Sequence, residues 1–211
     1  MSKANTQRGA RERLLDAAMR MIRERGYTAT TVDELCAAAG VTKGSFFHHF
    51  ESKEDLAVAA AGHFASMAAG LFASAPYQKL EDPLDRVMGY IDFREEILAG
   101  EVCDYTCLLG TMVQETYGTH PAIREACERH MGEHIAEVAR DIAAAKKKYA
   151  PRAKWSPESL ARFTQAALQG GFILAKAGGG AGAAAESVRH LRRYVEDQFG
   201  AKAGGSTTGR T

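Results

Sequence analysis

Apolar residues recur at helical spacing along nearly the whole chain, and this periodicity is the feature that most limits the possible folds. Runs that alternate between apolar and polar residues are absent. The Asn-Gly and Asp-Gly pairs that form tight hairpin turns are absent as well. The sequence therefore predicts an all-α protein.

Capping residues and glycines divide the N-terminal part of the chain into four helices. Gly26 ends a first helix that begins near residue 8. Thr31 and Glu34 stand at capping-box spacing at the start of a short second helix. Thr42 begins a third helix and Ser52 begins a long, alanine-rich fourth, which extends to about residue 74.

The rest of the chain contains five further helical segments. A Ser-Pro pair opens one of them, and a run of three glycines ends it. Their expected ranges are about 83–99, 105–116, 121–148, 157–177 and 184–199. The predicted organisation is a flexible basic arm (1–7), an N-terminal helical domain (8–56), a larger helical domain (57–199) and a disordered tail (200–211).

Composition and charge narrow the class of protein. The chain of 211 residues has a net charge of +1, but residues 1–25 hold seven Lys and Arg against three Asp and Glu. A basic N-terminus suggests an anionic partner, and an ordinary solvated helix face is the alternative. We find no secretory signal and no apolar run of membrane-spanning length, so we expect a cytoplasmic protein without a membrane partner.

A helix-turn-helix is the motif that carries a function. The predicted second and third helices are joined by Ala39-Gly40-Val41-Thr42, where Gly40 can adopt a left-handed conformation and Val41 fills the gap between the helices. The third helix would enter the major groove of DNA, with donors and acceptors at its N-terminal end. Thr31 and Lys53 are placed to contact phosphates.

Four sequence blocks resemble the DNA-binding domain of the TetR family. They are residues 26–32, 38–41, 43–50 and 52–56, and the match covers about residues 8–58. The resemblance implies a three-helix DNA-binding domain, a larger helical ligand-binding and dimerisation domain, and a dimer that leaves its operator when a small molecule binds. Phe47 departs from the family pattern, which often has tyrosine there. The candidate DNA-binding residues are Thr31, Thr42, Lys43, Gly44, Ser45, Phe46, Phe47, His48, His49 and Lys53.

Two of these candidates have an alternative interpretation. His48 and His49 are predicted to contact phosphates, but one of the pair can instead pack inward with Phe50. Phe47 has no hydroxyl to donate, so its expected contact is with sugar or a thymine methyl group.

The C-terminal region offers candidates for an effector site. Residues 107–115 partly resemble a block found in TetR-like regulators that respond to reactive or foreign organic compounds. We expect a small, mostly apolar organic effector, because the candidate lining residues are aromatic or sulfur-containing with few polar groups. They are Phe93, Cys107, Met112, Met131, His134 and Phe172. Ordinary core packing is the alternative for each of them.

The cysteines leave three interpretations open. Cys36, Cys103, Cys107 and Cys127 are too few for a disulfide scaffold. Buried free thiols are the commonest case, a thiol sensor built on Cys103, Cys107 or Cys127 is the second, and a metal site that adds His130 and His134 is the third.

The sequence thus predicts a ligand-responsive, sequence-specific DNA-binding repressor. Its expected partners are double-stranded operator DNA, a small-molecule effector and a second copy of itself. Small residues between 166 and 175 suit close helix packing across a two-fold axis.

No cofactor and no resident metal are expected. No catalytic motif is present, so an enzyme is not expected. An architectural DNA binder without an effector remains an alternative.

Overall fold

The computed structural model describes residues 9–178 and 180–200, so the predicted basic arm and all but the first residue of the predicted tail lie outside the described residues. Within those ranges the chain is helical and contains no strand, which confirms the all-α prediction. The helices are α1 (Ala10–Arg25), α2 (Val32–Ala39), α3 (Lys43–His49), α4 (Lys53–Ser74), α5 (Pro83–Glu96), α6 (Val102–Tyr105), α7 (Leu108–Thr116), α8 (Pro121–Tyr149), α9 (Pro157–Gly178) and α10 (Ala181–Gln198), with a short 3-10 helix at Pro76–Lys79.

The structure divides one predicted helix in two. The segment predicted at about 105–116 consists of the end of α6 and the whole of α7, because Thr106 and Cys107 have extended backbone between them. Thr106 ends α6 and Cys107 begins α7 as its N-cap residue. Cys107 is not one of the residue types that usually cap the N-terminus of a helix, so the sequence carried no clear signal for this break.

The described residues form two compact units. Unit 1 consists of the residues up to Phe72 together with Glu101–Glu133, and unit 2 consists of Ala73–Gly100 and the residues from His134 onward. The boundary predicted at residue 56 divides the chain by function and stays a prediction. Unit 1 contains the three N-terminal helices and also α6, α7 and the first part of α8.

One continuous core holds unit 1 together. Leu14 and Leu15 of α1, Leu35 of α2 and Phe46 of α3 are each at most 2% exposed and belong to the same buried cluster. The cluster also takes in Leu108, Leu109 and Met112 of α7. In unit 2, α10 packs against both α9 and α5.

Helix α4 is long and apolar enough to cross a membrane by length and composition, and 28% of that stretch is buried. The expectation that no segment reaches this length was therefore wrong for α4, whose apolarity comes largely from alanine. Leu56, Ala57 and Ala60 are buried in the core of unit 1. A single helix of this kind, with its N-terminal half in a protein core, is weak support for a membrane span.

Candidate nucleic-acid interface

The start of α2 is fixed by the capping box that the sequence predicted. The Glu34 amide donates to Thr31 Oγ1 at 3.3 Å, and the Thr31 amide donates to Glu34 Oε2 at 3.0 Å. The Thr31 hydroxyl also donates to Glu34 Oε2, and these hydrogen bonds lower the pKa of that carboxyl. Arg25 adds an ion pair to Glu34 at 2.8 Å. Thr31 is exposed and available to a phosphate, although its hydroxyl already has an acceptor.

The turn between α2 and α3 has the geometry of a helix-turn-helix. Gly40 lies in the left-handed region, with φ 62° and ψ 43°, which is the conformation the sequence required of it. Val41 is half-buried and packs against the unit 1 core. Thr42 then caps α3, since its Oγ1 accepts the Ser45 amide at 3.1 Å.

Helix α3 presents one face to solvent and the other to the core. Thr42, Lys43, Gly44, Phe47 and His48 are exposed. Ser45 and His49 are half-buried beside them. Eight of the ten predicted DNA-binding residues therefore lie on α3 and its cap, and seven of these eight are exposed or half-buried.

Phe46 does not lie where a DNA contact was predicted. Its side chain is 0% exposed and its ring lies 5.9 Å from that of Phe50, so it belongs to the core and not to a DNA-contacting surface. Phe47, the next residue, is 58% exposed. Since adjacent helical residues point about 100° apart, only one member of this pair can face inward.

The two histidines differ in the same way. His48 is exposed, whereas His49 is half-buried, with its ring 6.5 Å from that of Phe50. The inward-packing alternative therefore suits His49, and the phosphate contact suits His48.

Lys43 forms an ion pair with Asp33 of α2 at 2.6 Å. The hydrogen bond that the Lys43 ammonium donates to Asp33 raises the pKa of Lys43. Both side chains are more than 60% exposed, so water screens the pair and its contribution to stability is small. The ammonium can consequently exchange this partner for a DNA phosphate or a base edge.

Lys53 occupies a different place from the one predicted. Its ammonium donates to the carbonyl oxygens of Tyr27 at 3.1 Å and Thr30 at 3.0 Å, and it lies 4.2 Å from the centre of the Tyr27 ring. Burial lowers the pKa of this ammonium. These contacts give Lys53 a structural role in the turn between α1 and α2, so its predicted role as a phosphate contact is not supported.

Sequence reasoning missed Glu115. Its carboxylate, on α7, accepts the backbone amides of Tyr27 and Thr28 at 3.1 and 2.9 Å. These partners lie almost ninety residues away along the chain. No local pattern around Glu115 distinguishes it from a solvated glutamate, so only the fold reveals the contact.

The six predicted effector-binding residues divide equally between the two units. In unit 1, Cys107 and Met131 are half-buried against the core, whereas Met112 is 0% exposed within it. Met112 is therefore a core residue, and the packing alternative applies to it. Unit 2 contains Phe93, His134 and Phe172.

The unit 2 residues belong to a set of aromatic and polar contacts. Tyr77 packs against Tyr90 and Phe93, with ring centres 5.9 Å apart in each case. The Tyr90 hydroxyl lies 2.9 Å from His134 Nε2. The Arg94 guanidinium lies 5.6 Å from the centre of the Phe172 ring. A pair of neutral polar groups and a cation among aromatic rings is the chemistry of many small-molecule sites.

The state of His134 leads to a prediction for stability against pH. Burial, and then the positive charge of Arg94, lower its pKa from 6.5 to about 4. The unfolded chain therefore binds a proton at higher pH than the folded chain does. Stability falls as pH drops below the unfolded value, until the folded pKa is reached. We expect a loss of about 2 kcal/mol between pH 7 and pH 5, at roughly 1.4 kcal/mol per pH unit.

Urea unfolding of the wild type and of His134→Gln at the two pH values measures this loss. Glutamine retains a hydrogen-bonding group for Tyr90 but does not titrate, so the variant should lose about 2 kcal/mol less than the wild type. His190→Gln is the matched control, because the His190 side chain is 66% exposed in the same unit. An identical pH dependence in the wild type and His134→Gln would contradict the prediction.

The thiols are not equivalent. Burial raises the pKa of Cys103, and it raises the pKa of Cys127 to about 12. A reactive cysteine needs a stabilised thiolate, so these two thiols are poor sensor candidates. Cys107, half-buried at the N-terminus of α7, is the remaining candidate for the thiol-sensing alternative.

Over residues 9–178 and 180–200, no group of three or more His, Cys, Asp or Glu side chains is arranged to hold a metal ion.

Helices α9 and α10 share an open apolar groove of about 540 Å³. Ala167 and Gly170 line it, and the ring centres of Phe163 and Tyr194, which also line it, lie 4.8 Å apart. Leu174, also in the groove, is 54% exposed. An exposed set of small and large apolar residues of this kind is typical of a protein–protein contact.

Two family models match the chain. The first, for bacterial regulatory proteins of the tetR family, covers residues 14–60. The second describes a tetracyclin repressor-like C-terminal domain and covers residues 83–191, which is more than half of the chain.

Individual proteins agree with these matches. The chain is 28% identical over 166 residues to the HTH-type transcriptional repressor DhaR of Mycobacterium sp. (strain GP1), a match that covers 79% of this chain and 82% of DhaR. It is 33% identical over 106 residues to the transcriptional regulator AcuR of Cereibacter sphaeroides, over 50% of this chain and 48% of AcuR. The crystal structure of regulatory protein TetR from Rhodobacter sphaeroides superposes with a TM-score of 0.77 at 25% identity, over 90% of this chain and 98% of that one. This chain therefore belongs to the TetR family of bacterial transcriptional regulators.

Proposed function

We propose that the protein is a dimeric repressor that binds double-stranded operator DNA through α3 and leaves it when a small organic effector binds. The exposed face of α3 is the observation that carries the proposal. Behind a left-handed glycine turn, Thr42, Lys43 and Gly44 lie at the N-terminal end of the helix, while Phe46 anchors the opposite face. A helix presented in this way can enter the major groove with its first turn against the base edges.

Each exposed residue has a specific task in this proposal. Lys43 reads a guanine edge or pairs with a phosphate, and Thr42 and Ser45 supply hydroxyl groups. Gly44 permits close approach of the backbone. Phe47, which is exposed and has no hydroxyl, contacts a thymine methyl or a sugar. His48 and Thr31 contact phosphates at the edges of the site.

The dimer forms through the α9–α10 groove. When two copies pack this face together, α9 and α10 of each copy make a four-helix bundle, and Ala167 and Gly170 allow the helices to approach closely. A two-fold dimer presents two recognition helices to half-sites about 34 Å apart on a pseudo-palindromic operator.

The effector is a small, mostly apolar organic molecule. Phe93, His134 and Phe172 of unit 2 are its proposed contacts. Release of DNA requires that the effector bind the DNA-free state more tightly. A 100-fold drop in occupancy corresponds to roughly 2.7 kcal/mol of coupling. Because TetR-family regulators are soluble DNA-binding proteins, we place this activity in the cytoplasm.

Fluorescence anisotropy of the full-length protein tests the proposal. One labelled duplex comes from the region upstream of its own gene, and a random duplex of equal length at the same salt is the reference. We expect binding to the upstream duplex that is tighter by about 10³-fold or more. Lys43→Ala should weaken that binding by about tenfold or more, since one good base contact contributes 1–3 kcal/mol of discrimination.

Lys147→Ala is the matched control, because Lys147 is an exposed lysine on α8 and the charge change is the same. Unchanged binding of Lys43→Ala would rule out the assignment of α3. Equal binding of the wild type to both duplexes would favour the alternative of an architectural DNA binder, whose affinity depends on salt and little on sequence.

A further inference from the structure

The turn between α1 and α2, residues 26–31, determines where α2 begins and hence where α3 lies. It is ordered partly by its own hydrogen bonds. The Thr30 amide donates to the Tyr27 carbonyl at 3.2 Å, and the buried Thr30 hydroxyl donates to the Gly26 carbonyl at 2.7 Å. Two charged side chains that lie outside the helix-turn-helix also bind backbone groups of the turn.

Glu115 binds one set of these groups. Its Oε1 accepts the Tyr27 amide at 3.1 Å and its Oε2 accepts the Thr28 amide at 2.9 Å, so each carboxylate oxygen holds one of two consecutive N–H groups. Gly26 leaves room for this contact, since a Cβ atom there would lie 2.2 Å from Glu115 Oε1. Hydrogen bonds to a charged acceptor are about twice as strong as those between neutral groups.

Lys53 binds carbonyl groups of the same turn. Its ammonium donates to the carbonyl oxygens of Tyr27 and Thr30. The negative charge of Glu115 raises the pKa of Lys53, in opposition to the larger effect of burial, which lowers it. The carboxylate therefore holds amides of the turn while the ammonium holds its carbonyls.

Two apolar contacts complete this arrangement. Tyr27 is 3% exposed, and the ring of His120, which lies between α7 and α8, meets it edge-on at 5.1 Å. Leu108, Leu109 and Met112 of α7 share the buried core with α1, α2 and α3. Glu115 thus extends from the exposed side of a helix whose other side is packed in the same core as the helix-turn-helix.

We propose that Glu115 is a positioning residue for DNA recognition: with Lys53 as its counter-charge, it fixes the α1–α2 turn to α7 and thereby sets the orientation of α2 and α3. It acts on the operator through the turn and does not contact DNA. This inference rests on the proposed function, and it adds that the specificity of DNA binding depends on a carboxylate outside the helix-turn-helix.

The test uses full-length Glu115→Gln and Glu115→Ala variants. Glutamine preserves the size of the side chain but offers one acceptor and one donor where two acceptors are needed, so it should behave like alanine. We expect specific binding to the upstream duplex to weaken by about tenfold, because a turn without these charge-assisted hydrogen bonds no longer fixes the orientation of α2 and α3. Binding to random DNA should stay within about twofold of the wild type, because that binding depends on phosphate contacts.

Glu125→Gln is the matched control. Glu125 lies in the same unit, its side chain is 66% exposed, and the charge change is identical. Any general effect of removing a negative charge on DNA affinity will appear in both variants. The difference between Glu115→Gln and Glu125→Gln therefore measures positioning alone.

Hydrogen–deuterium exchange without DNA supplies an independent measurement. Exchange in residues 26–31 should be faster by about fivefold or more in Glu115→Gln, while exchange in the rest of α1 is unchanged. The inference is overturned if that segment exchanges as in the wild type. It is also overturned if Glu115→Gln binds the upstream duplex as the wild type does, or if specific and random binding weaken equally.

The DNA-binding and hydrogen–deuterium exchange measurements together distinguish a failure of this inference from a failure of the proposed function. If the wild type itself does not distinguish the two duplexes, the proposed function fails and the recognition role of Glu115 fails with it. Faster exchange of residues 26–31 would then show that the contact orders the turn without serving DNA recognition.

Discussion

Phe46→Ala is expected to destabilise the protein by about 3–5 kcal/mol, the cost of deleting a fully buried phenylalanine side chain. Its ring has no exposed surface and belongs to the core that joins α1, α2, α3 and α7. Since whole domains are often stable by only 5–15 kcal/mol, such a loss should also weaken DNA binding at physiological temperature. Urea unfolding and the anisotropy assay, each carried out on the same preparation, measure the two effects.

Phe47→Ala is the matched control one residue along the helix. Phe47 is 58% exposed, so its removal should change stability by no more than about 0.5 kcal/mol. It should nevertheless weaken specific binding, because the proposed thymine or sugar contact is lost. The opposite pattern, with a stable Phe46→Ala and an unstable Phe47→Ala, would show that α3 is rotated relative to the structure described above.

Leu174→Glu is expected to convert the proposed dimer into monomers and to lower operator affinity by about 100-fold or more, since a monomer lacks the second recognition helix. Leu174 lies in the α9–α10 groove and is 54% exposed in the single chain, so the substitution should leave the helices folded. In the dimer the same position would be buried, and an unpaired carboxylate there costs several kcal/mol.

Analytical ultracentrifugation and circular dichroism test this expectation together. Tyr117→Glu is the control, because Tyr117 is another large, exposed residue (67%) and lies outside the groove. It should stay dimeric with full helicity. If Leu174→Glu stays dimeric, the dimer interface lies on another surface. If it stays dimeric but no longer binds DNA, this face affects DNA binding by a route other than dimerisation.

Much of the fold could be read from the sequence because its signals are local. Thr31 with Glu34, Gly40 and Thr42 act within three or four residues of their own positions, and each has the capping or turn conformation that was predicted. The helical periodicity of apolar residues then gave the all-α class. Such features depend on backbone geometry, which short sequence patterns determine.

The errors arise where three-dimensional packing decides. In the run Phe46–Phe50, aromatic and histidine side chains are all compatible with either face of α3, and only the position of the core assigns Phe46 and Phe50 to the interior. Lys53 was expected at a phosphate because it begins a helix. Its ammonium instead turns to two carbonyls more than twenty residues away in sequence.

The contact between Glu115 and the first turn also affects how such proteins can be recombined. An exchange of DNA-binding domains between relatives, with the junction in α4, assumes that residues 9–72 form an independent domain. Yet that domain is completed by α6, α7 and the first half of α8, which a later stretch of the chain supplies. A chimaera made at α4 would therefore join one parent's Gly26–Tyr27–Thr28 turn to the other parent's residue at position 115. If Glu115 positions α2 and α3 as proposed, altered operator specificity in such hybrids would come from a mismatched contact at residue 115 as well as from the exchanged recognition helix.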